Sequence, residues 1–174
     1  MNSEKRVLII DQLNLFFRNY IVNPSLSTDG MPIGGLRGCM QSLQKVIRES
    51  KPDMVVICWD GAGGSKKRKL IKKDYKAGRK PIRLNRAIKN MSEGEETDKQ
   101  LQNYKKIILS SDKDFFQLLD SKTVLYRPIQ KEVLNRKSIL DKFDIHPTNF
   151  AMARAMVGDK SDNIQGIQGL GLKT

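Results

Sequence analysis

Asp11, Asp60 and Asp112 each stand just beyond a short apolar run, at residues 7–10, 54–59 and 107–109, and Asp114 lies two positions past the third. Parallel α/β sheets bind ligands outside the carboxyl ends of their strands, so acids at those ends converge however far apart they are in the chain. A lone Asp after a strand is ordinarily a helix N-cap, and Asp112 keeps that reading beside the functional one. Three in series carry more. Carboxylates gathered in one cleft repel each other and must protonate, take cationic partners or hold a metal. Oxygen ligands without His or Cys favour Mg²⁺ or Mn²⁺. Asp159 and Asp162, three residues apart after an expected helix, can complete the cluster from another side.

Charge supplies the second half of the chemistry. The 174 residues hold 32 Lys+Arg against 19 Asp+Glu, a formal balance of +13. Twelve of the basic residues (Lys66, Lys67, Arg68, Lys69, Lys72, Lys73, Lys76, Arg79, Lys80, Arg83, Arg86 and Lys89) fall between residues 65 and 89, with Asp74 the only acid there. The rest of the chain is close to neutral. A solvated basic tract is the plain alternative, but this one is internal and carries Leu70, Ile71, Tyr75, Ile82, Leu84 and Ile88 at helix-like intervals. Cations at this density release phosphate counterions, and Tyr75 is suited to stack on a base. Nucleic acid is the expected partner. With carboxylate-bound divalent ions nearby, the chemistry indicated is hydrolysis of a phosphodiester, the metal activating water and stabilising the leaving oxygen.

The elements that must position these residues are those of one α/β domain. Residues 7–10 read as a strand buried on both faces of a parallel sheet, 54–59 as a second such strand with Trp59 in the core, and 106–110 as a third. Leu36, Cys39, Met40, Leu43, Val46 and Ile47 share one face of a crossover helix. A helix is expected over 115–119, short strands over 123–126 and 132–134, a helix from an N-cap at Ser138 to Phe143, and another opened by Pro147 and closed by Gly158. No apolar run approaches the roughly 20 residues of a membrane span, and no export signal is visible. A reducing, cytoplasmic setting is expected, since Cys39 and Cys58 are too few for a disulfide framework. His146, the single histidine, reads as a helix-entry residue, and Ser110 and Ser111 as structural. Zinc therefore lacks ligands.

Six stretches, 8–11, 56–60, 75–79, 110–115, 158–163 and 166–171, together resemble the 5′-nuclease superfamily, which includes flap endonucleases, the 5′-nuclease domain of bacterial DNA polymerase I and small phage enzymes with ribonuclease H activity. Without a polymerase domain, the chain is most similar to the stand-alone phage type of 5′-3′ exonuclease. The resemblance implies a PIN-like parallel-sheet core over 1–135 with a basic helical arch at about 62–100, and the start of a C-terminal helix-turn-helix DNA-binding subdomain over 136–174. It implies a monomeric 5′-3′ exonuclease or flap endonuclease that cuts RNA primers or DNA 5′ strands during DNA replication, beside replication proteins. It also implies two Mg²⁺ ions, replaceable by Mn²⁺, on Asp11, Asp60, Asp112, Asp114, Asp159 and Asp162. By the same resemblance Lys76 and Arg79 are catalytic, while Tyr75, Lys66, Lys67, Arg68, Lys69, Lys72, Lys73 and Lys80 bind nucleic acid. Gly166, Gly169 and Gly171 belong to a duplex-gripping turn around K⁺, with Gln168 in place of the usual Pro.

The chain departs from that pattern at its centre. The family's further acidic motif, a Glu followed by Asp-Asp about 20 residues before Ser110, is missing, for residues 86–91 contain no acid. The acidic patch over 93–98 reads as a solvated loop. About 35 to 45 residues, the size of a βαβ crossover with an extra strand, are expected to be absent between Asp98 and Lys105, and the glycine turn at the end of the chain suggests truncation. Catalysis is therefore expected to be impaired, and the rival reading is a structure-selective DNA-binding remnant. An Asp-nucleophile phosphatase is the third, but it wants a second acid where Leu13 stands.

Overall fold

Val7, Leu8 and Ile10 are buried because their strand lies inside the sheet rather than at its margin. The computed structural model describes residues 4–59, 66–77 and 103–172. Five strands, β1 (Arg6–Asp11), β2 (Met54–Cys58), β3 (Lys105–Leu109), β4 (Thr123–Arg127) and β5 (Glu132–Leu134), form one sheet in the order β2-β1-β3-β4-β5. β1 pairs in parallel with β2 and β3, β3 in parallel with β4, and β5 returns antiparallel to β4. Asp11 and the segment after Leu109 therefore emerge at the same rim.

Helices cover both faces, giving the PIN-like architecture that the sequence leads one to expect. On one face α1 (Gln12–Val22) and α2 (Gly34–Ser50) bring Leu15, Cys39, Leu43 and Val46 against Leu8, Ile10 and Leu109. α1 is unassigned in the sequence reading, although Asp11 caps it and accepts from the Asn14 N–H at 3.2 Å. The two helices pack closely through glycine: a Cβ on Gly38 would lie 2.5 Å from Asn19 Oδ1. On the other face α4 (Arg136–Phe143) and α5 (Pro147–Val157) contribute Ile139 and Phe150 to a core with Ile108, Phe116, Leu125 and Leu134. Phe116, Phe143 and Phe150 meet there at ring separations of 5.2 to 5.9 Å, two of the three contacts edge-to-face.

Several local expectations are corrected. Among the described residues β2 is not buried on both faces but is a margin strand, with Val55 and Ile57 exposed and Trp59 38% exposed rather than in the core. An apolar run reports strand propensity, whereas its place in the sheet depends on distant pairing. The helix over 115–119 is a 3₁₀ turn, Lys113–Leu118, capped by Asp112. Asn135, not Ser138, caps α4, and Ser138 completes a reciprocal capping box with it. α5 begins at Pro147 and stops at Gly158 as expected. Short antiparallel strands β6 (Gly158–Asp159) and β7 (Ile164–Gln165) follow it. Among the described residues no helix is long and apolar enough to cross a membrane.

Candidate active site

Ser110 joins the ends of β1 and β3. Its hydroxyl donates to Asp11 Oδ2 at 2.8 Å and accepts from the Asp112 N–H at 3.1 Å. Asp112 in turn accepts from the Asp114 N–H at 3.0 Å, which is the capping bond of the 3₁₀ turn. Asn14 Oδ1 accepts from Arg18 Nε at 2.9 Å and from the Ser111 N–H at 3.4 Å. Capping and site-building thus coincide. The bonds that start α1 and the 3₁₀ turn also fix Asp11 and Asp112 at one rim.

Arg154, on the last turn of α5, completes the arrangement from the other side. Its Nη2 pairs directly with Asp159 Oδ2 and lies 3.5 Å from Asp114 Oδ1, while Nη1 is 3.4 Å from the Gly158 carbonyl oxygen. Burial works against the Asp159 carboxylate, but hydrogen bonds from Ser161 and the Arg154 charge hold it below the ordinary carboxylate value. Asp114 moves the other way, because burial and the neighbouring Asp112 charge outweigh Arg154. Arg154 side-chain exposure is only 20%, and its Nε is buried without a hydrogen-bond partner.

Asp162 meets the basic segment. Tyr75 donates its hydroxyl to Asp162 Oδ2 at 2.8 Å and accepts from Arg68 Nη1 at 3.0 Å, and the Lys76 N–H donates to the Asp162 carbonyl at 3.0 Å. Asn163 Nδ2 donates to Asp74 Oδ2 at 2.9 Å. Tyr75 is only 5% exposed, with Arg68 and Lys76 against its ring, so in this conformation the ring does not offer itself to a base as expected. Arg68, Tyr75, Asp114, Arg154, Asp159 and Asp162 line one cleft of about 420 Å³.

The remaining expected residues divide simply. Lys66 and Lys67 open α3 (Lys66–Ile71); Lys69 and Lys73 are exposed and Lys72 partly so. Gly166, Gly169 and Gly171 lie along an open cleft after β7, Gly169 at φ +83°. Asp60, Arg79 and Lys80, most of the arch, the acidic patch at 93–98 and its junction at 98–102 lie outside the described residues. Sequence reasoning missed Arg154 and the tie made by Ser110. The one signal for Arg154 was a basic residue in the last turn before a helix-ending glycine, where arginine commonly meets terminal carbonyls.

The donor set suits a hard cation in kind, and a cation is already there, since one guanidinium spans Asp114 and Asp159. In arrangement the carboxylates are less gathered than expected. Among the described residues no three Asp, Glu, His or Cys side chains come together as a metal ion requires. Protein donors hold Asp114, Asp159 and Asp162 instead.

The sequence profile of the family described as 5′-3′ exonuclease, N-terminal resolvase-like domain, matches residues 6–97, more than half of the chain. The chain belongs to this family. It is 29% identical to a 5′-3′ exonuclease of Aquifex aeolicus, over 98% of its own length and 67% of the relative's. It is also 29% identical to the thermostable DNA polymerase I of Thermus aquaticus, of which it spans only 23%. The Aquifex alignment runs to 195 positions, more than the chain's 174 residues, so the relative carries residues within the aligned stretch that have no counterpart here. The fold matches the phage T5 D15 protein co-crystallised with metal ions, at a TM-score of 0.72 and 17% identity over 97% of this chain and 72% of that one. It also matches the catalytic core of Rad2 in complex with DNA substrate, at 0.55 and 16% over 97% and 58%. Family membership sets the phosphatase alternative aside.

Proposed function

We propose that this member of the 5′-3′ exonuclease family is a divalent-metal-dependent 5′-3′ exonuclease or flap endonuclease acting on RNA primers or DNA 5′ strands. The observation that carries the reading is the convergence of Asp11 and Asp112, 101 positions apart, on one rim through Ser110, facing a basic segment docked at Asp162. Asp11, Asp60, Asp112, Asp114, Asp159 and Asp162 are the proposed metal-holding residues. A divalent ion bound there supplies an activated water and stabilises the leaving oxygen. Asp11 and Asp112 are held for that role by their capping bonds. Lys76 and Arg79 are the proposed contacts to the scissile phosphate, and the lysines of α3 and the following turn contacts to the rest of the strand. Gly166, Gly169 and Gly171 are the proposed grip on the uncut duplex, with K⁺.

Mg²⁺-dependent release of product from a labelled 5′-flap duplex, lost on chelation and in Asp11→Asn, is the expected result. A specific observation supports a second reading, a DNA-binding remnant without turnover: Arg154 and Tyr75 occupy carboxylates that catalysis would need. Salt-sensitive flap binding with no cleavage in Mg²⁺ or Mn²⁺ would favour that reading over the first.

A further inference from the structure

Four hydrogen bonds dock residues 66–77 onto the turn that follows α5. Asp74 receives Asn163 Nδ2 through its carboxylate at 2.9 Å and its carbonyl at 3.3 Å. Tyr75 and the Lys76 N–H take the Asp162 carboxylate and carbonyl, one each. Lys76 at φ +61° and Asn163 at φ +58° turn both segments sharply where they meet. The tyrosine donates one neutral hydrogen bond, steadied by Arg68, to an acid that lines the same cleft as Asp114 and Asp159.

We infer that the basic segment is a cation-released latch, in which Tyr75 and a divalent ion compete for the Asp162 carboxylate, so that ion binding frees the segment and docking excludes the ion. The inference rests on the proposed metal role of Asp162 and adds a coupling to it. Competition for one carboxylate is reciprocal. If docking lowers ion affinity by some factor, the ion lowers docking by the same factor. A hydrogen bond to a charged acceptor sets the scale at about tenfold or more.

Limited trypsin digestion of the full chain, read by mass spectrometry, tests the coupling. Cleavage after Lys69, Lys72, Lys73 and Lys76 is compared with cleavage after Lys142 on α4, with and without millimolar Mn²⁺, and Mn²⁺ binding is measured separately by water-proton relaxation. The expected result is a several-fold acceleration at the four arm sites, with Lys142 unchanged. Tyr75→Phe should be cut as fast without the ion and should bind Mn²⁺ more tightly. Asp74→Ala, an exposed change outside the carboxylate set, should shift both readouts in the same direction should the tyrosine variant fold poorly. Mn²⁺ binding with unchanged arm cleavage would overturn the latch and leave the metal reading standing. No Mn²⁺ binding in the wild type or either variant would overturn both.

Discussion

Ser110 Oγ lies 2.8 Å from Asp11 Oδ2, a hydrogen bond between residues 99 positions apart at the ends of adjacent parallel strands. Because the same oxygen accepts the Asp112 N–H, one buried hydroxyl sets the spacing of two acids that enter from different strands. Ser110→Ala leaves the Asp112 N–H without that acceptor and Asp11 without that donor. The expected cost is about 1–2 kcal/mol in urea unfolding, with cleavage of a 5′-flap duplex reduced more than stability alone explains.

Arg154 is the shared counter-charge of Asp114 and Asp159. Arg154→Gln removes a charge that repels incoming cations and leaves two acids facing each other. Without metal, unfolding in urea should show a loss of about 1–2 kcal/mol, below the roughly 3–5 of fully buried pairs because Asp114 is only partly buried, its side chain 60% exposed. Mn²⁺ should then raise the melting temperature of the variant further than that of the wild type, since the ion takes over the missing charge. An equal or smaller rise would show that Arg154 positions the acids for the ion.

Asp114 and Asp159 should respond to pH with opposite signs. The Asp159 value is depressed, so its stabilising contribution is present above the ordinary 3.8 and is lost as pH falls through its lower folded value. The Asp114 value is raised, so the folded state binds its proton more tightly and stability falls as pH rises from 3.8 through the folded value. Asp114→Asn is expected to add about 0.5 kcal/mol at pH 7, discounted for exposure, and nothing below pH 3.8. Asp159→Asn should destabilise at pH 7 and be neutral in strong acid. Urea titrations from about pH 2.5 to about pH 7, chosen around the carboxylate values, would read both.

Gly158 stands at φ +77° between α5 and Asp159, and a Cβ there would come within 2.4 Å of the Gly166 nitrogen and 2.6 Å of the Ile164 oxygen. Gly158→Ala meets both a left-handed backbone and main-chain atoms that cannot swing aside. A loss of about 1–3 kcal/mol is expected, with Asp159 shifted off Arg154. Thermal unfolding and Mn²⁺ binding should therefore fall together. A variant stable to within about 0.5 kcal/mol, the range of neutral surface changes, would mean that β6 and β7 separate at little cost.

Local signals made much of this protein legible from its residues alone. The apolar runs ending in Asp11 and Asp112, the amphipathic face of α2, and Pro147 and Gly158 at the ends of α5 follow from periodicity and capping, which act over a few positions. Parallel strands then oblige Asp11 and Asp112 to share a rim, because their carboxyl ends point the same way. What occupies those acids was not legible. That Arg154 spans Asp114 and Asp159, that Tyr75 is turned inward onto Asp162, and that β2 lies at the margin of the described sheet depend on contacts between segments up to 99 positions apart. Such contacts are decided when whole elements pack. A sequence states which groups carry charge, but only the packed chain settles which opposite charge comes close enough to satisfy it.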